Sequence, residues 1–220
     1  MSTAPDIIVV CAGGHGRVVI DVLRRGGETV AALVDADPRL HGQSIDGVPI
    51  IGGDEAVMAR PVADVMLVNA LGNAPVRGDS RLSGRRRLFE RFVAAGYRFR
   101  SVVSRDAYVS PAAILDGACH IITGAIVHPG AVIGLDVIIN TGARIDHDCR
   151  IGAHSHIAPG AILCGGVVLG AECHVGAGAT IVQNIRVGAG AVIGAGAVVL
   201  ADVAPGVAVL GVPARSVGAG

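Results

Sequence analysis

A histidine stands between two aspartates in the segment TGARIDHDCRIG, residues 141–152. Histidine titrates near neutral pH, and an adjacent carboxylate orients its ring and raises its basicity. Asp146, His147 and Asp148 therefore have the composition of a general base with a carboxylate partner. Either aspartate can be that partner. Two other interpretations stay open, a metal site and a solvated polar turn.

The composition limits what surrounds this motif. The chain has 220 residues, no Trp, 2% aromatic residues, 33 Gly and a formal net charge of zero. All 18 basic residues are Arg, which excludes a Schiff-base or P-loop lysine. We expect no nucleic-acid partner and no membrane span. Five scattered cysteines without a CxxC pair, and a start that does not resemble a signal peptide, favour a reduced cytoplasmic protein.

Residues 1–100 alternate short apolar runs with helical patterns, which predicts a small α/β domain with a Rossmann-like parallel sheet. The predicted strands cover 6–12, 29–37 and 63–73, and the predicted helices cover 16–27 and 80–96. The run Arg85-Arg86-Arg87 in the second helix is interpreted as a solvated face.

The segment CAGGHGR, residues 11–17, follows the first predicted strand and opens the first helix. Gly13, Gly14 and Gly16 let the backbone approach a phosphate, and a helix N-terminus favours an anion. The spacing differs from GxGxxG, so the segment predicts a phosphate contact and argues against a dinucleotide.

From residue 103 the pattern changes to a period of six. Aliphatic residues, which we call anchors, occupy all 17 positions of this period from Val103 to Val199. Neither an α-helix nor an alternating strand has this period. Hexads are typical of a parallel β-helix, in which each hexad is a short strand and a turn. We predict this fold for residues 101–220, with most anchors serving as scaffold.

The hexads, the segments CAGGHGRVVIDVL (11–23) and NALGN (69–73), and the ending LGVPARSV (210–217) carry a family resemblance. Together they resemble the sialic-acid O-acetyltransferase and bacillosamine N-acetyltransferase family of hexapeptide-repeat sugar acetyltransferases, with the perosamine N-acetyltransferase type nearest. The resemblance implies a left-handed β-helix, acetyl-CoA as co-substrate, no metal, and a nucleotide-linked amino sugar as partner. It also implies a homotrimer with active sites at subunit interfaces, and it makes Asp148 the favoured partner of His147.

The resemblance further implies roles for individual residues. Asn140 and His156 would contact acetyl-CoA, with a turn-capping Asn and a stacked His as the alternatives. Residues with little or no side chain would line the pantetheine arm: Gly165, Ala177 and Ala195. The nucleotide sugar would contact the first βα turn and the ends of the next two strands: Gly13, Gly14, His15, Gly16, Arg17, Asp35, Gly72 and Asn73. For Asp35 a turn role is the alternative.

Three hexads per coil return the chain to the same side of the β-helix after about 18 residues, one layer of roughly 4.8 Å away. We call positions related by this offset a lane. His156 and His174 should therefore stack, with His120 in the same lane two coils away. His147 falls at a different corner, so we expect it to meet His156 only across a subunit interface.

Three classes of function fit the chain. The first is an acetyl-CoA-dependent N-acetyltransferase acting on a nucleotide-linked 4-amino-4,6-dideoxy sugar, GDP-perosamine-like or UDP-linked, with a sugar O-acetyltransferase as its close variant. The second is a metal hydrolase of carbonic-anhydrase type, suggested by His120 and His156, although Ala161 stands where the third histidine is expected. The third is a non-catalytic repeat protein, which would not need His147.

Overall fold

The computed structural model describes residues 4–73 and 82–217. Its N-terminal unit is a four-stranded parallel sheet flanked by helices. The first six strands are β1 Asp6–Val10, β2 Val30–Val34, β3 Ser44–Ile45, β4 Val48–Pro49, β5 Val65–Asn69 and β6 Arg98–Phe99. The helices are α1 Gly14–Arg25, α2 Asp54–Met58 and α3 Ser83–Ala94, with 3₁₀ turns at Pro38–Leu40 and Val62–Asp64.

The strand order in this sheet is β2-β1-β5-β6, while β3 and β4 form a separate hairpin. The predicted α/β architecture is confirmed. The strands and the second helix are shorter than their sequence patterns, whereas α1 has the predicted 12 residues but begins two residues earlier. Residues 70–73 leave β5 and run towards the second unit. Residues 80 and 81 of the second predicted helix lie outside the described residues. The sequence patterns missed α2, β6 and the hairpin because these elements are too short to show a period.

The second unit is a parallel β-helix of two-residue strands, as the period of six predicts. The strands are β7 Val102–Val103, β8 Tyr108–Val109, β9 Ile114–Leu115, β10 His120–Ile121, β11 Ile126–Val127, β12 Val132–Ile133, β13 Ile138–Ile139, β14 Arg144–Ile145, β15 Arg150–Ile151, β16 His156–Ile157, β17 Ile162–Leu163, β18 Val168–Leu169, β19 His174–Val175, β20 Thr180–Ile181, β21 Arg186–Val187, β22 Val192–Ile193 and β23 Val198–Val199, followed by β24 Ala208–Leu210 and β25 Arg215–Ser216.

These strands form three faces, in which each strand from β7 to β23 pairs in parallel with a strand 18 residues away. At the end of face A, β24 pairs with β22 in parallel, and β25 pairs with β24 antiparallel. Face A runs from β7 through β10, β13, β16, β19 and β22 to β24 and β25. Face B contains β8, β11, β14, β17, β20 and β23, and face C contains β9, β12, β15, β18 and β21. On face A, His120 pairs with Ile138, Ile138 with His156, and His156 with His174. The predicted lanes are therefore confirmed at residue level.

The anchors fill the interior of the β-helix, with small residues such as Ala125, Ala143 and Cys149 between them. Small side chains are needed there because successive coils lie only one strand spacing apart. The first anchor departs from the prediction: Val103 is 46% exposed. It lies at the open end of the β-helix, where no preceding coil covers it.

The two units pack together through face A. Val102 and Ile122 share a core with Val19 and Ile20 of α1 and with Val68 of β5. The outward positions of face A are therefore buried where other faces meet solvent. Within the described ranges no helix is long and apolar enough to cross a membrane.

Candidate active site

The predicted base lies at the corner between β14 and β15, where the chain turns from face B to face C. Nδ1 of His147 is 2.9 Å from Oδ2 of Asp148. The Asp146 carboxylate instead accepts the backbone N–H of His147, at 2.8 Å. Asp148 is therefore the carboxylate paired with the ring, and Asp146 fixes the backbone below it.

This pair is open to solvent, with side-chain exposure of 64% for His147 and 72% for Asp148. The hydrogen bond that the His147 ring donates to Asp148, helped by the negative charge of Asp146, raises the pKa of His147. In the neutral ring Nδ1–H donates to Asp148, and Nε2 carries the lone pair. The arrangement is therefore a base of increased strength in which Asp148 occupies Nδ1, and Nε2 has no hydrogen-bond partner among the described residues.

Gly165, predicted to line the pantetheine arm, lies one coil after His147 and directly beneath its ring. A methyl group at Gly165 would come within 2.5 Å of Nε2 of His147. Ala177 and Ala195 are exposed at the corner between faces A and B, in the same lane as Thr141. The structure therefore places Gly165 with the base and places the two alanines on the corner next to Asn140.

His156 lies where the two units meet. Its Nδ1 donates to the carbonyl of Asn73 at 3.0 Å, and its Nε2 accepts from Nδ2 of Asn140 at 3.1 Å. Gly72 approaches the same ring, since an added Cβ there would lie 4.0 Å from its Cε1. The strand-end loop predicted for the nucleotide sugar thus touches the pair predicted for acetyl-CoA. Burial, with the nearby His174, lowers the pKa of His156 to about 4.

His15, in the first turn of α1, lies at the same junction of the two units, which we call the seam. Its Nε2 is 3.0 Å from Nδ1 of His120, and the two rings stack. Burial lowers the pKa of His15 to about 3 and also lowers that of His120. The His156 and His174 rings meet edge to face, 5.3 Å apart between centroids. His15, His120, His156 and His174 form a neutral row of histidines at physiological pH.

The glycines of the first turn divide into two kinds. Space is open around Gly13 and Gly14, where an added Cβ would have no neighbour within 4 Å among the described residues. Gly16 is different, because a Cβ there would come within 2.5 Å of the Cys11 carbonyl oxygen. Gly16 therefore allows α1 to pack against the end of β1, and Gly13 and Gly14 leave the helix N-terminus accessible.

Two charged residues near this turn have partners within the chain. Arg17 forms an exposed ion pair with Asp46, 3.3 Å apart. Both oxygens of Asp35 accept backbone N–H groups, from Ala12 at 2.7 Å and from Asp37 at 2.9 Å. The turn role of Asp35 is thus present in the structure, and it ties the first turn to the end of β2.

The buried ion pair at the seam was missed by sequence reasoning. Arg85 is fully buried and binds the Asp136 carboxylate at 2.7 Å. It also donates to the carbonyls of Asn69 and Leu71 at 2.5 and 2.8 Å. The second oxygen of Asp136 lies 3.0 Å from Nδ1 of His154. Interpreting the arginine run as a solvated face was therefore wrong for Arg85, because that side of α3 packs against the β-helix.

The histidines that suggested a metal site point to other partners. His120 faces His15, His156 lies between Asn73 and Asn140, and His154 binds Asp136. Among the described residues there is no group of three or more His, Cys, Asp or Glu side chains placed to hold a metal ion. The metal-hydrolase alternative has no cluster to support it.

A separate cleft of about 650 Å³ opens at the opposite edge of the sheet, near the amino ends of its strands. Asp6, Glu28 and Arg100 line it. Ligands of open α/β sheets bind at the carboxyl ends of the strands, where Gly13, Gly14 and Gly72 lie. The cleft is thus remote from the predicted site.

Comparison with known proteins supports this architecture. Residues 6–79 match the family described as the PglD N-terminal domain. Perosamine N-acetyltransferase from Caulobacter crescentus, crystallised as a histidine-to-asparagine mutant with CoA and GDP-perosamine, is 36% identical over 98% of both chains, with a TM-score of 0.89. The acetyltransferase domain of PglB from Neisseria gonorrhoeae, in complex with acetyl coenzyme A, is 34% identical over 98% of this chain and 100% of that one, with a TM-score of 0.87.

WeeI from Acinetobacter baumannii is 26% identical, covers 96% of this chain and 99% of its own, and has a TM-score of 0.74. No curated protein matches the chain. These similarities define an acyltransferase, in agreement with the β-helix and the α/β unit docked on its face A. The chain belongs to the hexapeptide-repeat sugar acetyltransferases.

Proposed function

We propose that the protein transfers the acetyl group of acetyl-CoA to the 4-amino group of a nucleotide-linked 4-amino-4,6-dideoxy sugar, GDP-perosamine-like or UDP-linked. The observation that carries this proposal is the hydrogen-bonded pair of His147 and Asp148 on an exposed corner. It is supported by the 36% identity to an enzyme crystallised with CoA and GDP-perosamine. O-acetylation of a sugar hydroxyl is the close alternative.

In this reaction the sugar amine attacks the thioester carbonyl carbon, and a C–N bond forms. His147 accepts the proton that the amine loses, through Nε2, while Asp148 holds Nδ1–H. The C–S bond breaks, CoA leaves as the thiolate, and the proton on Nε2 neutralises it. The raised pKa of His147 suits this role, because it strengthens the base.

We assign the nucleotide sugar to the α/β unit, residues 1–100, and acetyl transfer to the β-helix, residues 101–220. The open N-terminus of α1 at Gly13 and Gly14 suits the diphosphate. His15, Gly16, Arg17 and Asp35 surround that turn. Gly72 and Asn73 would contact the sugar from the end of β5.

Acetyl-CoA is assigned to the corner between faces A and B. Asn140 and His156 would contact it near the thioester, and the exposed Ala177 and Ala195 would leave room for the pantetheine arm. Gly165 would approach the acetyl group from the coil below His147. The hydrogen bond between Asn73 and His156 makes the two proposed substrate sites neighbours.

A homotrimer with active sites between subunits completes the proposal. Within one chain, His147 lies between faces B and C, whereas His156 lies on face A. A corner of one β-helix packed beside the next subunit would bring the two together. The five free cysteines support the predicted cytoplasmic location.

The test of the reaction is incubation of the purified protein with acetyl-CoA and either GDP- or UDP-linked 4-amino sugars. We expect CoA release and a product heavier by one acetyl group with one of the two nucleotides. The matched 4-hydroxy sugar distinguishes O-acetylation. Absence of acetylated product with every amino sugar, while the 4-hydroxy sugar is acetylated, would replace the proposal with the alternative.

The shared site has its own test. His147→Ala and His156→Ala homotrimers are mixed after mild dissociation and reassociation. If each active site takes His147 from one subunit and His156 from another, mixed trimers contain intact sites and regain a fraction of the activity. No recovery in mixtures that demonstrably exchange subunits would place both residues in one chain's site.

A further inference from the structure

The imidazole of His147 lies on the backbone of the next coil. Gly165 follows His147 by 18 residues, and the two are joined through the hydrogen bond from the Gly166 N–H to the His147 carbonyl, at 2.9 Å. A Cβ added to Gly165 would lie 2.5 Å from Nε2, 2.6 Å from Cε1 and 3.2 Å from Cδ2 of the ring. With the ring in this position, only glycine fits beneath it.

Asp148 is supported in the same way from the preceding coil. A Cβ added to Gly130, 18 residues before Asp148, would lie 2.4 Å from its Oδ1. The base and its partner are therefore held between two glycines, one coil below and one coil above. Because both members of the pair are largely exposed, few other contacts of the described chain hold them.

The two glycines differ in what their backbone requires. Gly130 has φ of +75°, a left-handed conformation that favours glycine whatever surrounds it. Gly165 does not adopt a left-handed conformation. Any residue could take its backbone conformation, so the reason for glycine at 165 is the space that the His147 ring occupies.

We propose that Gly165 is a positioning residue for His147: its missing side chain lets the imidazole lie flat on the coil, in reach of Asp148. This proposal rests on the proposed function, in which His147 is the base. An alanine at 165 would lift the ring away and weaken its bond to Asp148, while the coil keeps its backbone. A displacement of about 1 Å of a catalytic group costs roughly 100-fold in rate.

The test is Gly165→Ala, measured by steady-state kinetics and by NMR titration of the His147 ring. We expect kcat to fall about 100-fold, with little change in the KM for the nucleotide sugar and an unchanged melting temperature. The titration should show the pKa of His147 moving down from its raised position, because the Asp148 hydrogen bond is its main cause. Assignment of the His147 signal comes from its loss in His147→Ala.

Gly84→Ala in α3 is the matched control, since its added methyl would make only an ordinary contact, 3.7 Å from Leu71. It should keep both turnover and the His147 titration. Gly165→Ala is also made in the His147→Ala background, where the added methyl has no ring to displace. There it should leave CoA binding unchanged. Loss of CoA binding in that background would show that Gly165 acts by contacting the ligand.

An unchanged His147 titration in Gly165→Ala would overturn the positioning role, whatever the kinetics. Failure of the proposed function is recognised separately, because it would show as no acetylated product from any amino sugar or as acetyl transfer retained by His147→Ala. In that case the titration still reports whether Gly165 places the ring.

Discussion

Two histidine–aspartate pairs of nearly equal geometry lie in this β-helix. His147 and Asp148 are 2.9 Å apart, and His154 and Asp136 are 3.0 Å apart. The first pair is 64% and 72% exposed, whereas the second is 10% and 0% exposed. Geometry alone therefore does not mark a catalytic base.

The difference lies in what else the carboxylate holds. Asp136 is shared by His154, Asn69 and the buried guanidinium of Arg85, so its charge is neutralised within the seam. Asp148 bonds the largely exposed His147 ring, whose other nitrogen has no hydrogen-bond partner among the described residues. A buried pair of this kind joins two units, and an exposed one is available to a substrate.

The largest effect is expected at the exposed pair. His147→Ala should lower kcat by about 100- to 10,000-fold, the range of general-base catalysis, because no other group in the proposed mechanism takes the amine's proton. CoA and nucleotide-sugar binding and the melting temperature should stay unchanged. Calorimetric titration of each ligand and steady-state kinetics measure these quantities.

His128→Ala is the matched control for that variant, since His128 is an exposed histidine at the corresponding corner one coil earlier. It should retain full turnover. Equal losses in His128→Ala and His147→Ala would mean that the corner, and not the base, is sensitive to substitution.

The second effect concerns folding, at the buried pair. Arg85→Met leaves the Asp136 charge unpaired, and loss of one partner of a buried ion pair costs about 3–5 kcal/mol. The control is Arg25→Met, which breaks an ion pair of the same 2.7 Å length with Asp106, at a site where the side chains are 60% and 45% exposed. That exposed pair contributes at most about 1 kcal/mol. Urea unfolding separates the two, and equal costs would contradict a structural role specific to the seam.

These two pairs also show how much of the fold and of the candidate site can be predicted from the sequence. The anchors point inward because together they form the core of the β-helix. The period of six therefore predicted the β-helix and its lanes. The prediction failed at Val103, where no coil precedes the anchor. The sequence revealed Asp146, His147 and Asp148 because these three residues are adjacent in the chain. Gly165 was also within reach, since the 18-residue offset that stacks His156 on His174 leads from His147 to Gly165.

Arg85 was not within reach of the sequence. Its partner Asp136 is 51 residues away, in a different unit. The helical spacing from Phe89 and Phe92 puts Arg85 on their face of α3, but it does not indicate what that face packs against. The docking of α3 against the corner between faces C and A decides that, and docking depends on long-range packing. The same holds for Asn73, whose carbonyl accepts a hydrogen bond from His156, 83 residues later in the chain.

The third effect is the pH dependence of stability, which distinguishes the buried histidines of the seam from His147 at the exposed corner. The folded pKa values of His15 and His156, about 3 and about 4, lie below the ordinary value near 6.5. The unfolded chain therefore binds more protons below pH 6.5, and stability present at neutral pH is lost as the pH falls towards 4. Each such histidine should cost about 1.4 kcal/mol of stability between pH 7.5 and 5.5.

The measurement is the free energy of unfolding at a series of pH values for the unmodified protein and for His156→Gln. The variant should be less stable at neutral pH and should lose less stability on acidification, because one titrating group is gone. His147 acts in the opposite direction: its raised pKa gives stability below the unfolded value that is lost as pH rises, a small contribution at an exposed site. Identical slopes for the two proteins would exclude His156 as a source of acid lability.

The smallest effect tests the partner of the base. Asp148→Asn should lower kcat about tenfold, far less than loss of a buried triad aspartate, because the pair is exposed to water. The pKa of His147 should fall, since its main cause is removed, and the acidic limb of the pH–rate profile should move to lower pH. Asp146→Asn removes only the weaker influence and should move that limb less. A larger shift from Asp146→Asn would reverse the assignment and make Asp146 the group that tunes the base, with Asp148 reduced to a turn residue.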